Sequence, residues 1–237
     1  MSDAVIESPD YGSPSFAAWR AACAPTWQQY TGHPFVQGLA NGALPPASFL
    51  HYLIQDYLFL MHFARAWSLV VVKAGTISEM RLAAATVDAL VNQEMKLHVR
   101  TCAEHGISEA MLEQADEASA NIAYTRYVLA TGHAGDLLDL LAALTPCVFG
   151  YGEIGHRLGA KPVPGNRYQP WIDTYADAEY QQVCRDVGTL LEAVVARRLG
   201  SQPATNPRWA ELSAIFAQAT ALEVNFWAMG LEANHAQ

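Results

Sequence analysis

A thiol and two carboxylates stand on helical faces that are otherwise apolar. Cys147 follows Pro146 in LLDLLAALTPCVFGY (137–151), the most apolar stretch of the chain. A proline inside a helix removes a hydrogen bond and kinks the backbone, and such breaks often line pockets. Tyr151 lies at i+4, on the same face as Cys147. A cysteine in that setting is either a small core residue or, as thiolate, a nucleophile. Asp56 has Tyr52, Leu53, Phe59 and Leu60 at ±3 and ±4. A carboxylate buried in such a stripe needs a partner or a ligand. Glu223 is followed by Phe226 and Trp227 at i+3 and i+4. An apolar, aromatic setting disfavours the ionised form and raises the pKa, which suits a general acid near neutral pH. Its alternative is a solvent-facing glutamate at a helix edge. Tyr124 and Tyr175 complete the set, although a half-buried tyrosine is common.

Histidine spacing raises a second chemistry. Glu153 with His156, and Glu232 with His235, repeat the Glu-x-x-His spacing of di-iron bundles, and Glu94 and His98 lie at i and i+4. A di-metal site needs further inward carboxylates on other helices, and the spacing alone is weak, so no metal ligand is assigned. There is no GxGxxG, no Walker loop and no G-x-S-x-G elbow.

The elements that must hold these residues read as helical almost throughout. The pattern predicts helices over 14–30 with Pro25 as an internal kink, 46–74, 78–105 with Ser78 as N-cap, 108–117, 119–131 ended by Thr131-Gly132, 135–158, 171–175, 177–199 capped by Asp177, and 206–233 with Asn206 as N-cap. Residues 160–170 form a Pro/Gly loop. With no β-alternation, repeat or linker, the fold class is all-α: a flexible start over 1–13, then one helical domain over 14–237.

Composition narrows the partners. The 237 residues are 51% hydrophobic and only 16% charged, with net charge −9. With no basic cluster, a nucleic-acid partner is not expected. The low charge fraction favours burial of surface in a homo-oligomer. The N-terminus has neither a basic region nor an apolar one, and no uncharged apolar run reaches membrane-spanning length. Four scattered cysteines without a CxxC read as free thiols in a reducing, cytoplasmic setting.

Taken in order, several motifs resemble the TenA (thiaminase II) family. They are His33-Pro34-Phe35-Val36-Gln37-Gly38-Leu39; Gly42-Ala43-Leu44-Pro45 with Phe49; Tyr52-Leu53-Ile54-Gln55-Asp56; Leu144-Thr145-Pro146-Cys147 with Tyr151-Gly152-Glu153; Trp171-Ile172-Asp173-Thr174-Tyr175; and Glu223 with Phe226-Trp227. The match spans about 15 to 230. The resemblance implies a heme-oxygenase-like multi-helix bundle, a homo-oligomer (tetramer or dimer), no cofactor, and a small-molecule pyrimidine substrate. The implied reaction, part of thiamin salvage, releases 4-amino-5-hydroxymethyl-2-methylpyrimidine from the aminomethylpyrimidine or from thiamin. It implies Cys147 as nucleophile, Glu223 as the acid at a ring nitrogen, and Asp56 as acceptor for the ring amino group. Tyr124, Tyr151, Tyr175 and Phe226 would form the pocket. Phe59 stands where the family often has tyrosine, so one hydroxyl is missing; Tyr57 lies on another face of the helix and is poorly placed to replace it. Rival readings are a heme-oxygenase-like di-metal oxidase and a non-catalytic pyrimidine-binding protein. Family members have been described as transcriptional activators, but the acidic composition argues against direct DNA binding here.

Overall fold

Apolar residues at helical spacing bury one long helix inside a ring of others. The computed structural model describes residues 8–232. In order these are α1 (Pro14–Ala22), α2 (Ala24–Thr31), α3 (Pro34–Asn41), α4 (Pro46–Lys73), α5 (Ile77–Ala89), a π turn (Leu90–Glu94), α6 (Met95–Ala103), α7 (Glu109–Glu113), α8 (Ser119–Ala134), α9 (Leu137–Gly159), α10 (Gln169–Ala176), α11 (Ala178–Leu199), a 3₁₀ turn (Pro203–Thr205) and α12 (Arg208–Glu232). There is no strand among the described residues, so the fold is all-α.

Helix α9 is the axle. It packs on α2, α4, α8, α10, α11 and α12. By length and composition it could cross a membrane, yet 94% of that apolar window is buried inside the bundle. Its start is fixed by a capping box in which Asp136 accepts from the Leu138 and Asp139 amides while Asp139 accepts from the Asp136 amide. Arg208 of α12 bridges both carboxylates at 2.8 and 2.9 Å. The helix continues through Pro146, which leaves the Ala142 carbonyl without its usual helical donor.

Two glycines of α9 set how closely its neighbours approach. A Cβ on Gly150 would lie 2.0 Å from the Tyr30 ring, and one on Gly155 would lie 2.3 Å from the Tyr175 backbone carbon. The first lets Tyr30 reach the interior, and the second lets α10 lie directly on α9. On the other side, Gln55 of α4 clasps the segment before α8. It donates to the Asp116 carbonyl, accepts from the Ala118 amide, and meets Asn121 through both its side chain and its carbonyl.

Several boundaries differ from the sequence expectation. The helix expected over 14–30 is two helices, because Cys23 leaves helical geometry (φ −115°, ψ 29°) and Pro25 occupies the first turn of α2 rather than an interior kink. Helix α3 was not anticipated; it begins at Pro34 and ends at Gly42, whose φ of +74° closes it, but spans barely two turns. Helix α8 runs past Gly132 to Ala134, since Gly132 admits the close approach of Leu140. Thr76, not Ser78, caps α5. The helix expected over 78–105 is interrupted by the π turn. Residues 8–13 belong to the expected flexible start, yet Tyr11 is buried and stacks on Phe149 at 5.4 Å, and Ser13 caps α1. Residues 1–7 and His235 lie outside the described residues.

Gly155→Ala tests the α9–α10 contact. The new methyl group meets backbone rather than a yielding side chain, so the variant should lose about 1–3 kcal/mol. In a chain of this length that amounts to about 2–4 °C of melting temperature per kcal/mol. Thermal melts check it; an unchanged midpoint would show that α10 is free to shift.

Candidate active site

Helical periodicity brings the reactive residues to one buried cluster. On α4, Tyr52, Asp56 and Phe59 follow at i, i+4 and i+7 and share a face. Cys147 and Tyr151 do the same on α9, and Trp171 and Tyr175 on α10. Helix α8 adds Tyr124, α12 adds Glu223, Phe226 and Trp227, and the π turn with α6 adds Glu94 and His98. Asp56 is 3%, Cys147 9% and Glu223 1% exposed, so the reactive groups are nearly dry.

The cluster has two ends. At one, the Tyr124 hydroxyl donates to Glu223 Oε1 at 2.8 Å, and the Cys147 thiol lies close enough to the same carboxyl group to feel its charge. Burial pushes Glu223 up to about 8, and the charge of Asp56 adds to the rise; the bond from Tyr124 and the nearby Cys147 and Tyr30 only partly oppose it. Burial also drives the Cys147 thiol well above its ordinary range, reinforced by the charges of Glu223, Asp56 and Glu94. The resting site therefore holds a neutral thiol beside a protonated carboxyl at neutral pH. The buried Tyr30 hydroxyl is also close enough to Glu223 for each to act on the other.

At the other end Asp56 Oδ2 accepts from the Tyr52 hydroxyl at 3.0 Å and from His98 Nε2 at 2.6 Å. His98 Nδ1 faces the Glu94 carbonyl at 2.9 Å. A carbonyl can only accept, so Nδ1 carries a proton. Burial pulls the His98 pKa down, but the bond to Asp56, its charge and that of Glu94 outweigh it and set it at about 9. Asp56 and His98 thus form a buried carboxylate–imidazolium pair. The Tyr52 hydroxyl also meets Trp171 Nε1 at 3.3 Å and the Tyr151 hydroxyl at 3.4 Å. Tyr175 donates to Glu94 Oε1 at 2.9 Å.

Aromatic rings wall the space between. Phe59 lies 5.1 Å from Tyr124 and 5.4 Å from Phe226, and Tyr151 lies 4.9 Å from Tyr175 and 5.3 Å from Trp227. Phe59 is a wall residue without a hydroxyl. Tyr57 faces elsewhere, where the charges of Glu109 and Glu113 on α7 act on it, so it does not replace the missing group. A cavity of about 440 Å³ adjoins the cluster through His98, Trp171 and Tyr175, with Leu53, Leu97 and Arg100 among its other walls; Cys147 and Glu223 do not line it.

All eight residues singled out from the sequence, Asp56, Phe59, Tyr124, Cys147, Tyr151, Tyr175, Glu223 and Phe226, fall in this cluster. The solvent-facing alternative for Glu223 is corrected by its burial on the inner face of α12. Sequence reasoning missed the parts played by His98, Tyr52 and Trp171. His98 was weighed only as a metal ligand; its signal was the unpaired Asp56, which demanded a cation that the sequence does not point to. Glu153 turns away from the cluster to Arg20 (3.1 Å) and Trp27 Nε1 (3.0 Å), and His156 is exposed. Among the described residues no three His, Cys, Asp or Glu side chains gather as metal ligands, where a di-metal centre needs at least four.

Comparison with known proteins gives a consistent picture. The model of the TENA/THI-4/PQQC family matches residues 20–233. A Haemophilus influenzae protein described as uncharacterized is 44% identical over 210 residues, covering 88% of this chain and 94% of that one. An aminopyrimidine aminohydrolase of Halalkalibacterium halodurans is 35% identical over 209 residues, covering 86% and 90%. The crystal structure of a TenA family transcription regulator from Silicibacter sp. TM1040 superposes with a TM-score of 0.91 at 53% identity, covering 94% and 98%.

The His98–Asp56 pair has a sign that can be tested. His98 titrates at about 9 in the folded chain against 6.5 when unfolded. Its stabilisation is therefore complete below pH 6.5 and lost as pH rises through 9. Glu223, raised from 4.5 to about 8, adds a loss in the same direction that ends near 8. The melting temperature should fall across pH 6.5 to 9. Asp56→Asn should lower it at pH 6 and flatten the part of the fall above pH 8. An undiminished fall above pH 8 in that variant would refute the pairing.

Proposed function

Because the chain belongs to the TENA/THI-4/PQQC family, we propose that it hydrolyses 4-amino-2-methylpyrimidines substituted at the 5-methylene, releasing the 5-hydroxymethyl product for thiamin salvage. The observation that carries this reading is the Cys147 thiol beside a buried Glu223 whose pKa burial raises to about 8, with Asp56 bonded to His98 at the other end of the same aromatic cluster. The name of the Halalkalibacterium halodurans relative supports the reaction class.

The ring lies between the two ends. Its 4-amino group donates to Asp56, whose charge His98 holds in place. Glu223 gives its proton to a ring nitrogen and takes the thiol proton in return. The sulfur pair forms a bond to the ring carbon made electron-poor by that protonation. The leaving group then departs from the exocyclic methylene, water adds there, and reversal of the sulfur addition expels the thiolate and restores the aromatic ring. Tyr124 keeps the Glu223 carboxyl oriented through its 2.8 Å bond. The unpartnered Trp227 Nε1 offers a polar contact inside an otherwise apolar wall. Phe226 and Phe59 supply the ring faces.

This reading also carries self-association. Val72 (80% exposed) and Ile77 (63% exposed) leave apolar surface near the α4–α5 junction for a second copy.

Product formation from the aminomethylpyrimidine and from thiamin, measured side by side, tests the function. Cys147→Ala should abolish turnover of both while leaving ligand binding. In the wild type the rate should fall as pH rises past about 8, because Glu223 loses the proton it must deliver. Glu223→Gln should cost about 100-fold or more and remove that limb. Folded protein that binds the pyrimidine and turns over neither substrate would favour a binding protein instead.

A further inference from the structure

Glu94 is a half-buried carboxylate beside the cluster, and the chemistry above does not use it. It closes the π turn Leu90–Glu94, in which the Met95 amide bonds the Leu90 carbonyl five residues back. A π turn holds one residue more than an α turn, and one residue corresponds to about 100° of rotation. The extra residue re-aims the segment relative to α5 and places Glu94 and His98, at i and i+4, on the face toward the cluster. There Glu94 Oε1 accepts from Tyr175, which is 2% exposed, and the Glu94 charge acts on Cys147 and His98. Burial raises its pKa, reinforced by the Asp56 charge and only partly offset by the His98 charge and the Tyr175 bond.

Ring geometry says which part of the substrate meets it. Positions 4 and 5 of a pyrimidine are neighbours. A 4-amino group held at Asp56 puts the 5-methylene and its leaving group at the same end, away from Glu223. Glu94 stands at that end, tied to Asp56 through its own carbonyl and His98.

We propose that Glu94 is the catalytic residue for the leaving amine, sharing with the substrate nitrogen the proton that lets it depart as ammonia, and that Tyr175 holds its carboxyl in position. The inference rests on the hydrolase reading and deepens it. One proton is shared between the Glu94 oxygens and the amine. The C–N bond breaks with its electron pair on nitrogen, and ammonia leaves with that proton, so Glu94 is left as carboxylate. The water that adds to the methylene sheds a proton, which Glu94 takes up. Thiazolium needs no such help, because its nitrogen leaves as a neutral thiazole without gaining a proton.

The test is Glu94→Gln, which keeps the shape and an acceptor for Tyr175, assayed on the aminomethylpyrimidine and on thiamin. The amine-to-thiamin ratio of kcat should fall about 100-fold, the low end of what a positioned proton donor contributes. If thiamin turns over too slowly to score, the trimethylammonium analogue of the amine substrate takes its place, since that nitrogen also leaves without a proton. Tyr175→Phe should lower the same ratio by a smaller factor. A ratio that moves less than about threefold, whether both rates fall or neither does, overturns the assignment, because lost folding or packing lowers both alike. Wild-type protein that turns over none of these compounds would instead defeat the hydrolase reading itself.

Discussion

A carboxylate inside a dry helical bundle must find a cation, keep its proton, or not be there at all. The interior of this protein contains both solutions. Asp56 faces His98 at 2.6 Å and stays ionised beside an imidazolium. Glu223 has only neutral donors around it, with Tyr124 at 2.8 Å and the Cys147 thiol, and it keeps its proton to about pH 8. Two acidic side chains thereby acquire opposite states, one an acceptor and the other a donor. That division is what an aminopyrimidine needs, since its amino group donates and its ring nitrogen accepts.

The scaffold explains how these states persist. Helix α9 carries the thiol at the centre of the bundle, where all its neighbours exclude water. Gly150 and Gly155 let Tyr30 and α10 approach closely. Gln55 locks the start of α8 to α4, so Tyr124 and Asp56 are fixed with respect to each other. The aromatic rings between the two ends keep the effective dielectric low, which strengthens both the ion pair and the proton on Glu223. Loosening any of these contacts would let water in and draw the two carboxyl groups toward the same ionised state.

The long helices were legible because their periodicity is strong and two of their ends are marked: Pro46 opens α4 and Asp177 caps α11. The short α3 and the split at Cys23 were not, because two turns leave too little pattern. The cluster was legible as a set of anomalies: Cys147, Asp56 and Glu223 each break an apolar face, and their burial turns that anomaly into chemistry. The partners were harder to see. His98 reaches Asp56 from another helix, 42 residues away. Glu94 depends on a π turn, and nothing in LVNQE distinguishes that turn from an ordinary helical one. Residue types announce which groups need compensation; the packing of other helices decides what supplies it.

The account stands on Glu223 holding a proton at neutral pH. Infrared difference spectroscopy reads this directly through the carboxyl C=O stretch, with Glu223→Gln as the subtraction. The account predicts a protonated-carboxyl band at pH 6.5 that vanishes in the variant and titrates away through about pH 8. A Glu223 signal already ionised at pH 6.5, titrating in the usual carboxylate range, would contradict it.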